Sequence, residues 1–427
     1  MKKARLLLLL VSFGFSSIFA QQEKGIVGSN NWLLGWSSFK PNKVDYNETT
    51  KILQGKISTN YTLSSSETYL LLGKVYVTSG ATLTIEAGTV IRGDSDSGGL
   101  LVIAKGAKII AEGIQSNPIV FTSNQPLAER KAGDWGGIII MGDAPINSIG
   151  GTANLKADID LEYRSYGGNA IDNSAGSLKY VRIEFAGKPV SGYKEFNSLT
   201  LAGVGSKTKM EYVDISMANG GSFKFFGGSI TTNNLVSYRC KEDDFSFTQG
   251  VQCTISNCLA MRNPLISSGM NNYRSFKLSA NESLENVDFS KKSTSVLATN
   301  LTLLNETVAS GGTEGLVKAA VYVGDASCSI SMKNSVISGF VPAVLLNASI
   351  EIKNDNLKKI NFIGTLINLC NGNIQSEIGG TANLDLEQWY ATTSFGNTYS
   401  QSLPVDIFIE PKNDKIPDLR LKINQIK

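Results

Sequence analysis

The chain has 427 residues, of which 40 are basic and 37 acidic, and its formal net charge at pH 7 is +3. The two signs of charge are interspersed, so no basic patch indicates a nucleic-acid partner. The sequence contains no histidine, which excludes a histidine-based catalytic triad and a histidine-ligated metal site.

Residues 1–20 have the features of a secretory signal peptide. Three cationic residues precede the apolar run from Leu6 to Val11, and polar residues follow from Gln21 onward. We therefore expect an exported protein in the periplasm, at the outer-membrane surface or in the extracellular medium. No later segment approaches the roughly 20 apolar residues that a membrane span requires. The mature chain is thus expected to lack a transmembrane span, and an outer-membrane receptor is a candidate partner.

Residues 21–72 are expected to form an N-terminal cap and the first turns of the fold. Trp32, Trp36 and Phe39 supply large apolar side chains there. The next segments are short, rich in β-branched residues and separated by glycine turns, without a helical period, at residues 73–93, 100–113 and 119–123.

A repeat of slightly more than twenty residues follows. Leu199-Thr-Leu, Phe223-Lys-Phe and Phe245-Ser-Phe begin equivalent units at offsets of 24 and 22 residues. This period suits one coil of three short strands, and hairpins would not return the same residue type to one position so regularly. The sequence therefore predicts an all-β fold, a single right-handed parallel β-helix over residues 73–365, with caps at both ends.

Two inward columns are predicted from this alignment because side chains alternate with a period of two along a strand. The first column contains Val181, Val213, Val236 and Ile255, and the second contains Ile183, Ile215, Tyr238 and Asn257. Asn257 is either an amide at a corner or an exception to an apolar column.

Two segments interrupt the repeat, and one closes it. Residues 150–176 are polar and glycine-rich and are expected to project as a loop insertion, with a shorter excursion at Asn263 to Asn281. Residues 366–427 are expected to form the last turns and a C-terminal cap that includes Trp389 and Tyr390.

The five cysteines are spread over the second half of the chain. Free, buried thiols are the favoured interpretation, because small disulfide-stapled folds have denser cysteines. A single disulfide between Cys240 and Cys258 is the alternative.

The motifs resemble those of a family of secreted β-helix proteins common in Bacteroidetes, which belongs to the pectin-lyase-like fold group and mostly lacks an assigned activity. The resemblance covers most of residues 30–260. It is carried by Ala81-Thr-Leu-Thr-Ile-Glu-Ala-Gly, Asn117-Pro-Ile-Val-Phe-Thr-Ser, Gly133-Asp-Trp-Gly-Gly, Leu178-Lys-Tyr-Val-Arg-Ile-Glu-Phe and Phe225-Phe-Gly-Gly. Relatives tend to carry a more acidic string where this chain has Glu242-Asp-Asp-Phe-Ser-Phe-Thr-Gln-Gly. The resemblance implies fold and compartment more than activity.

An acidic strip is predicted on one outer flank of the solenoid. Its expected members are the outward residues Arg182, Asp214, Ser237 and Ser256, then Glu184, Ser216, Arg239 and Cys258, with Glu242, Asp243 and Asp244 beside them. Solvation of an exposed strand face is the favoured explanation of such charges, and an Asx turn at a corner is the simplest explanation of Asp243 and Asp244.

Chemistry at this strip would need carboxylates that converge from adjacent coils. Enzymes of this fold that cleave acidic polysaccharides bind Ca²⁺ through carboxylate oxygens and use a basic side chain to abstract a proton, and hydrolases use paired Asp residues. Asp243, Asp244 and Arg239 are the candidate catalytic residues. Glu242, Asp243 and Asp244 are the candidate Ca²⁺ ligands, and no other cofactor is expected.

Trp135 is a candidate sugar-stacking platform, together with the ligand-binding candidates Asp214, Arg182 and Glu184. The simpler interpretation makes Trp135 a core aromatic between corner glycines. From these observations we favour an exported, non-catalytic cell-envelope protein, a binding or scaffold component for a glycan such as a polysaccharide, a nutrient or an outer-membrane partner. A polysaccharide lyase or glycoside hydrolase acting at the acidic strip is the alternative.

Overall fold

The computed structural model describes residues 23–189, 196–266, 273–306 and 317–425. They form a right-handed parallel β-helix, which confirms the predicted fold class. The predicted signal peptide lies outside the described residues. In the described part of the chain, no helix is long and apolar enough to cross a membrane.

The first half of the chain contains β1 (Lys51–Ile57), β2 (Tyr61–Leu63), β3 (Thr68–Val77), β4 (Thr82–Ile85), β5 (Val90–Gly93), β6 (Leu100–Ile103), β7 (Lys108–Glu112), β8 (Ile119–Ser123), β9 (Gly137–Met141), β10 (Ala153–Asn154), β11 (Ser165–Tyr166), β12 (Gly176–Glu184), β13 (Leu199–Ala202), β14 (Lys209–Ser216), β15 (Phe223–Phe226), β16 (Ser229–Tyr238) and β17 (Phe245–Thr248). The second half contains β18 (Gln252–Ser256), β19 (Leu259–Arg262), β20 (Phe276–Leu278), β21 (Ser295–Thr299), β22 (Thr302–Asn305), β23 (Val317–Lys318), β24 (Val321–Val323), β25 (Ser329–Lys333), β26 (Val336–Ser338), β27 (Phe340–Val341), β28 (Val344–Leu346), β29 (Ile360–Ile363), β30 (Leu366–Asn368), β31 (Ile374–Ser376), β32 (Thr398–Ser400), β33 (Phe408–Glu410) and β34 (Asp418–Leu421). The α-helices are α1 (Asn354–Leu357), α2 (Thr381–Tyr390) and α3 (Pro404–Ile407).

The coils stack into three parallel faces. Face 1 contains β2, β4, β7, β18, β21, β25, β29 and the first halves of β12, β14 and β16. Face 2 contains β5, β8, β19, β22, β26, β30, β32, the second halves of β12, β14 and β16, and the first halves of β1 and β3. Face 3 contains β6, β9, β13, β15, β17, β20, β24, β28, β31 and the second halves of β1 and β3.

The repeat that predicted the fold lies on face 3. Leu199 pairs with Phe223, which pairs with Phe245, so the offsets of 24 and 22 residues correspond to one coil each. The aromatic rings stack along the axis, with centroids 5.1 Å apart for Phe223 and Phe245 and 5.0 Å for Phe225 and Phe247. These ladders are part of one long apolar interior.

The predicted columns on face 2 are correct for the first two coils. Val181 pairs with Val213 and Ile183 pairs with Ile215, and all four side chains are fully buried. The next coil departs from the prediction by one residue.

In β16 the predicted register is wrong. Val236 pairs with Asp214, and Leu235 takes the inward position opposite Val213. Val236 and Tyr238 therefore lie on the outer side of face 2. Both are buried nevertheless, because another part of the chain covers this side, and apolar character alone could not separate inward from outward positions.

Ile255 was also misplaced, because it lies on face 1 opposite Thr232. Asn257 is a corner residue with φ of 53°. The corner between faces 1 and 2 has positive φ in successive coils, at Tyr180, Tyr212, Asn234, Asn257, Asn300 and Asn334. Asparagine tolerates this conformation better than most residues, which explains the amide at position 257.

The N-terminal segment, residues 23–50, runs lengthwise along the outer side of face 2, and we call it the strap. Near its start, the Ile26 N–H donates to Thr302 Oγ1 at 3.0 Å. At its end, the Thr50 N–H donates to the Thr68 carbonyl at 2.8 Å. The strap therefore connects late coils to the first ones.

The aromatic residues that were predicted to cap the N-terminal end of the solenoid belong to the strap. Trp36 is 1% exposed, and its ring lies 5.8 Å from that of Tyr180 and 5.7 Å from that of Tyr212. Phe39 packs on Tyr238 at 4.8 Å. These aromatic side chains cover a flank of the solenoid and do not close its end.

The C-terminal region divides between the end and the flank. Helix α2 packs Leu386 and Tyr390 against the interior, and the Tyr390 hydroxyl donates to the Ile360 carbonyl at 2.6 Å. The antiparallel hairpin of β33 and β34 instead joins the strap, where Asn31 Nδ2 donates to the Pro417 carbonyl at 3.0 Å. Both termini thus cover face 2.

Residues 150–176 pack onto the solenoid and do not project. Strands β10 and β11 pair antiparallel, and Leu155, Ile159 and Tyr166 are buried against the outer side of face 3. The Tyr76 hydroxyl of face 3 donates to Asp160 Oδ1 at 3.0 Å. We call this segment the insertion.

All five cysteines are free and buried, so the alternative disulfide between Cys240 and Cys258 is not formed. Burial raises the pKa of the Cys258 thiol to about 12 and that of Cys370 to about 11.

Candidate functional site

The predicted strip begins on the outer side of face 2, where Arg182 and Asp214 are axial neighbours. Glu184 and Asp214 have no exposed surface, because the strap lies over them. The Ser38 N–H donates to Asp214 Oδ2 at 2.7 Å. This part of the strip is therefore an internal contact between the strap and the solenoid, while Ser237 lies on the inner side of face 2 and Ser256 on face 1.

Arg182, Glu184 and Tyr46 form a buried polar cluster beneath the strap. Arg182 Nε lies 3.2 Å from Glu184 Oε1. The Tyr46 hydroxyl donates to Glu184 Oε1 at 3.1 Å, and the Arg182 guanidinium donates to the same hydroxyl. Burial and the neighbouring Glu184 carboxylate hold the pKa of Tyr46 well above its usual value. These contacts use the charges to hold the strap in place.

Asp214, which lies beside this cluster, is a carboxyl group whose pKa is shifted. Burial raises its pKa to about 7, against the opposing effects of the Ser38 N–H and the Arg182 charge. Its Oδ1 atom has no hydrogen-bond partner among the described residues.

Asp244 is fully buried at the corner before face 3, away from the strap. Its Oδ2 lies 2.8 Å from Arg262 Nη1, and its Oδ1 accepts from Ser237 Oγ at 2.5 Å and from Cys240 Sγ at 3.0 Å. The carboxylate is fully engaged by protein groups and has no access to a substrate, so it does not form the predicted catalytic pair.

Glu242 and Asp243 do not combine with Asp244 into the predicted calcium site. Asp243 Oδ1 accepts the Arg274 N–H at 2.8 Å, and the main-chain carbonyl of Glu242 accepts from Arg262 Nη1 at 2.6 Å. Across the described ranges, no group of three His, Cys, Asp or Glu side chains could hold a metal ion. The residues present do not fit Ca²⁺, which requires six to eight converging oxygens.

Trp135 is a core residue, as the simpler interpretation predicts, and it is not a sugar-stacking platform. Its side chain is 0% exposed, and its ring lies 6.3 Å from that of Phe121. Its Nε1 donates to the Glu184 carbonyl at 2.7 Å.

Arg239 is the predicted site residue that borders an open cavity. It occupies a corner with φ of 54° and pairs with Glu306, with 2.7 Å between Nε and Oε2. The cavity is a cleft of about 710 Å³ between the strap, the β33–β34 hairpin and face 2. Its walls include Phe39, Lys43, Tyr238, Arg239, Glu306 and Lys412.

The sequence analysis did not identify the cleft residues that the strap and the β33–β34 hairpin contribute. Lys43 and Lys412 are exposed and come from opposite ends of the chain. Neither has a carboxylate within 4.0 Å among the described residues. The available signal was the apolar outer side of face 2, at Val236, Tyr238, Leu259, Met261, Leu304 and Val336, which must be covered by some segment.

The fold and these contacts define a parallel β-helix whose flank is covered by its own termini. Residues 55–402 match the family model for the pectate-lyase-like β-helix domain. The chain belongs to that family.

Solved structures are similar only at low sequence identity. Rice weevil pectin methyl esterase shares 9% identity over 79% of this chain and 89% of its own, with a TM-score of 0.28. An alginate lyase from Paenibacillus sp. shares 10% over 83% and 99%, with a TM-score of 0.26. An exopolygalacturonase from Yersinia enterocolitica shares 12% over 86% and 76%, with a TM-score of 0.20. No curated protein sequence matches the chain significantly.

Proposed function

We propose that this protein is an exported, non-catalytic β-helix of the cell envelope that binds a glycan in the cleft beside Arg239. The observation that carries the proposal is the contrast between the cleft and the predicted acidic strip. Glu184, Asp214 and Asp244 have no exposed surface, whereas the cleft is open and about 710 Å³ in volume. Catalytic carboxylates must reach the substrate, and the two that line the cleft, Glu306 and Asp414, are paired with Arg239 and Lys40. Binding therefore fits this arrangement better than lyase or hydrolase chemistry.

The cleft has the composition of a ligand site. Leu265, which is 88% exposed, contributes apolar surface above the buried Phe39 and Tyr238, while Lys43 and Lys412 supply cationic donors. The pectate-lyase-like description of the family connects the fold with polysaccharides. Export through the segment at residues 1–20 and retention by an outer-membrane partner complete the proposal.

The proposal is tested by affinity electrophoresis of the mature protein through gels that contain neutral or anionic polysaccharides. We expect retardation by at least one polysaccharide. The double variant Lys43→Glu, Lys412→Glu should weaken it at least fivefold. Lys108→Glu is the matched control, because Lys108 is exposed on face 1 and should leave retardation unchanged.

The same panel is assayed for time-dependent release of unsaturated or reducing sugars. Sustained release would overturn the non-catalytic proposal in favour of a lyase or a hydrolase. Absence of retardation by every polysaccharide would overturn glycan binding at this cleft.

A further inference from the structure

A second pocket lies on the other flank of the solenoid, between the insertion and the outer side of face 3. Its volume is about 310 Å³, at the lower end of the roughly 300–1,000 Å³ range of small-molecule sites. Four separate parts of the chain form it: the insertion with the two residues before it, the end of β15, the corner after β17 and the segment after β20. It shares no lining residue with the cleft beside Arg239.

The floor of this pocket is polar but uncharged. Gln249, Ser148 and Asn281 are each less than 10% exposed and line the pocket beside Tyr166 and Phe226. An ionic ligand group would be desolvated there without a partner charge, which is unfavourable. The floor therefore selects neutral ligand groups.

Charge at the walls of the pocket is limited. The charged lining residues are Lys156 and Glu282. Glu282 lies 3.0 Å from Lys224, and Lys156 is exposed. These groups do not supply a buried charge that would favour an ion.

Gln249 supplies a polar group directed at a ligand. The Tyr166 hydroxyl bonds one end of its side-chain amide, at 2.7 Å to Oε1. The other end forms no hydrogen bond within the described residues, and whichever way the amide is turned, one polar end remains for a ligand. A side chain that is 5% exposed thus presents an unused polar group to the pocket.

The backbone at Gln249 supports this assignment. Ala202, Phe226 and Thr248 are axial neighbours, so Gly203, Gly227 and Gln249 occupy the same corner in three coils. Their φ values are 63°, 59° and 57°, a conformation that suits glycine and is costly for glutamine. Two coils have glycine at this corner, whereas the third has glutamine in the same strained conformation. Backbone strain of this kind is found where the surrounding structure or the function of the site requires it.

We propose that this pocket binds a neutral sugar residue, with the Gln249 amide bonding its hydroxyl groups. Amide and hydroxyl side chains both donate and accept hydrogen bonds, as sugar hydroxyls do. Ile149, which is 65% exposed, and the half-buried Ala153 line the pocket and offer apolar surface to the C–H groups of the ring. The assignment stands independently of glycan binding at the cleft.

The test is titration calorimetry of the mature protein with D-glucose, D-galactose, D-mannose and D-xylose, and with D-galacturonate as the charged comparison. We expect saturable binding of at least one neutral sugar and at least tenfold weaker binding of the uronate. Gln249→Gly should weaken binding at least tenfold without loss of folding, because glycine is the residue that neighbouring coils use at this corner.

A second variant obstructs the pocket without touching its floor. Asn154 is exposed and lines the pocket, so Asn154→Trp should reduce binding at least tenfold. Asn169→Trp is the matched control, because Asn169 is exposed in the same insertion outside the pocket, and it should bind as the wild type does.

Several results would overturn the proposal. They are no saturable binding of any neutral sugar, equal or tighter binding of the uronate, or binding that survives Asn154→Trp in a folded protein. The Lys43→Glu, Lys412→Glu variant should retain sugar binding in this pocket. Sugar binding by this variant therefore distinguishes loss of binding at the cleft from loss of binding in this pocket.

Discussion

Asp214 shows how a single buried carboxyl group makes folding depend on pH. Its pKa rises from the ordinary 3.8 to about 7 on burial. The folded chain therefore keeps a proton that the unfolded chain releases between about pH 4 and pH 7. The unfolding free energy consequently falls as the pH rises through this window.

Asp214→Asn should remove this dependence. Relative to the variant, the wild type should lose up to about 4 kcal/mol of unfolding free energy between pH 4 and pH 8. Urea titrations at pH 4, 6 and 8 measure the difference. Asp355→Asn changes an exposed carboxyl group and should follow the wild type; parallel curves for all three proteins would refute the prediction.

Single residues were the least predictable part of the molecule. Arg182, Glu184 and Asp214 were correctly assigned to outward positions, but their exposure was not predictable, since alternation along a strand cannot indicate whether another segment covers it. Asp244 was misassigned for a related reason, because it is buried at a corner, where the period of two does not apply. Trp135 is also buried at a corner, and the glycines around it made that position predictable.

The strap is the element whose docking depends most on buried aromatic surface. Trp36 contacts Trp32, Tyr180 and Tyr212 and is almost fully buried. Replacement by alanine would leave a cavity and expose the outer side of face 2.

Trp36→Ala should lower the unfolding free energy by about 3–5 kcal/mol, measured by urea denaturation. Leu34→Ala changes a neighbouring side chain that is 50% exposed and should have an effect below about 1 kcal/mol. Equal effects of the two substitutions would contradict the proposed packing of the strap.

Gly176 joins the insertion to β12 where two backbones approach closely. Its φ is 113°, and a Cβ atom would lie 1.8 Å from the Ile109 carbonyl oxygen. Glycine is therefore required by both conformation and space.

Gly176→Ala should abolish or severely reduce the soluble folded yield, assessed by gel filtration and circular dichroism. Gly80→Ala is the control, because Gly80 has φ of 87° with no atom within 4 Å of the added Cβ. Gly80→Ala should lower the unfolding free energy by only about 1–2 kcal/mol. An equal loss of folded yield from both substitutions would show that the close approach of the Ile109 carbonyl is not the cause.

At the scale of the whole molecule, the coils contact mainly their neighbours, but the strap joins distant ones. A simple solenoid unfolds by local steps along its axis. Here the strap contacts Thr68 in the first coils and Thr398 in the last ones, and the hairpin packs on it, so we expect larger parts of the stack to open together.

The five buried thiols report on this behaviour. A thiol reagent at pH 8 should label none of them rapidly in the native protein, because burial raises their pKa values and blocks access. In dilute urea all five should react at one common rate. Early labelling of Cys370 alone, near the C-terminal end, would instead indicate independent fraying of the last coils.

The architecture was the most predictable level. The return of Leu199, Phe223 and Phe245 to one position reflects the stacking of coils directly, because each coil repeats the same backbone path. The register in β16 was less predictable, since the covered outer side makes Val236 as apolar as the inward Leu235. The strap has no repeat of its own, and its position depends on contacts with residues hundreds of positions away.

The large sequence separation between the strap and its partners also affects the order in which these contacts can form during synthesis. The Ile26 N–H donates to Thr302 Oγ1 and Asn424 Nδ2 donates to the Lys24 carbonyl, so the start of the strap has contacts in residues synthesised much later. Contacts this remote in sequence form slowly. The start of the strap and the hairpin are therefore expected to dock late, whereas Trp36 and Thr50 can already contact Tyr212 and Thr68 of the early coils.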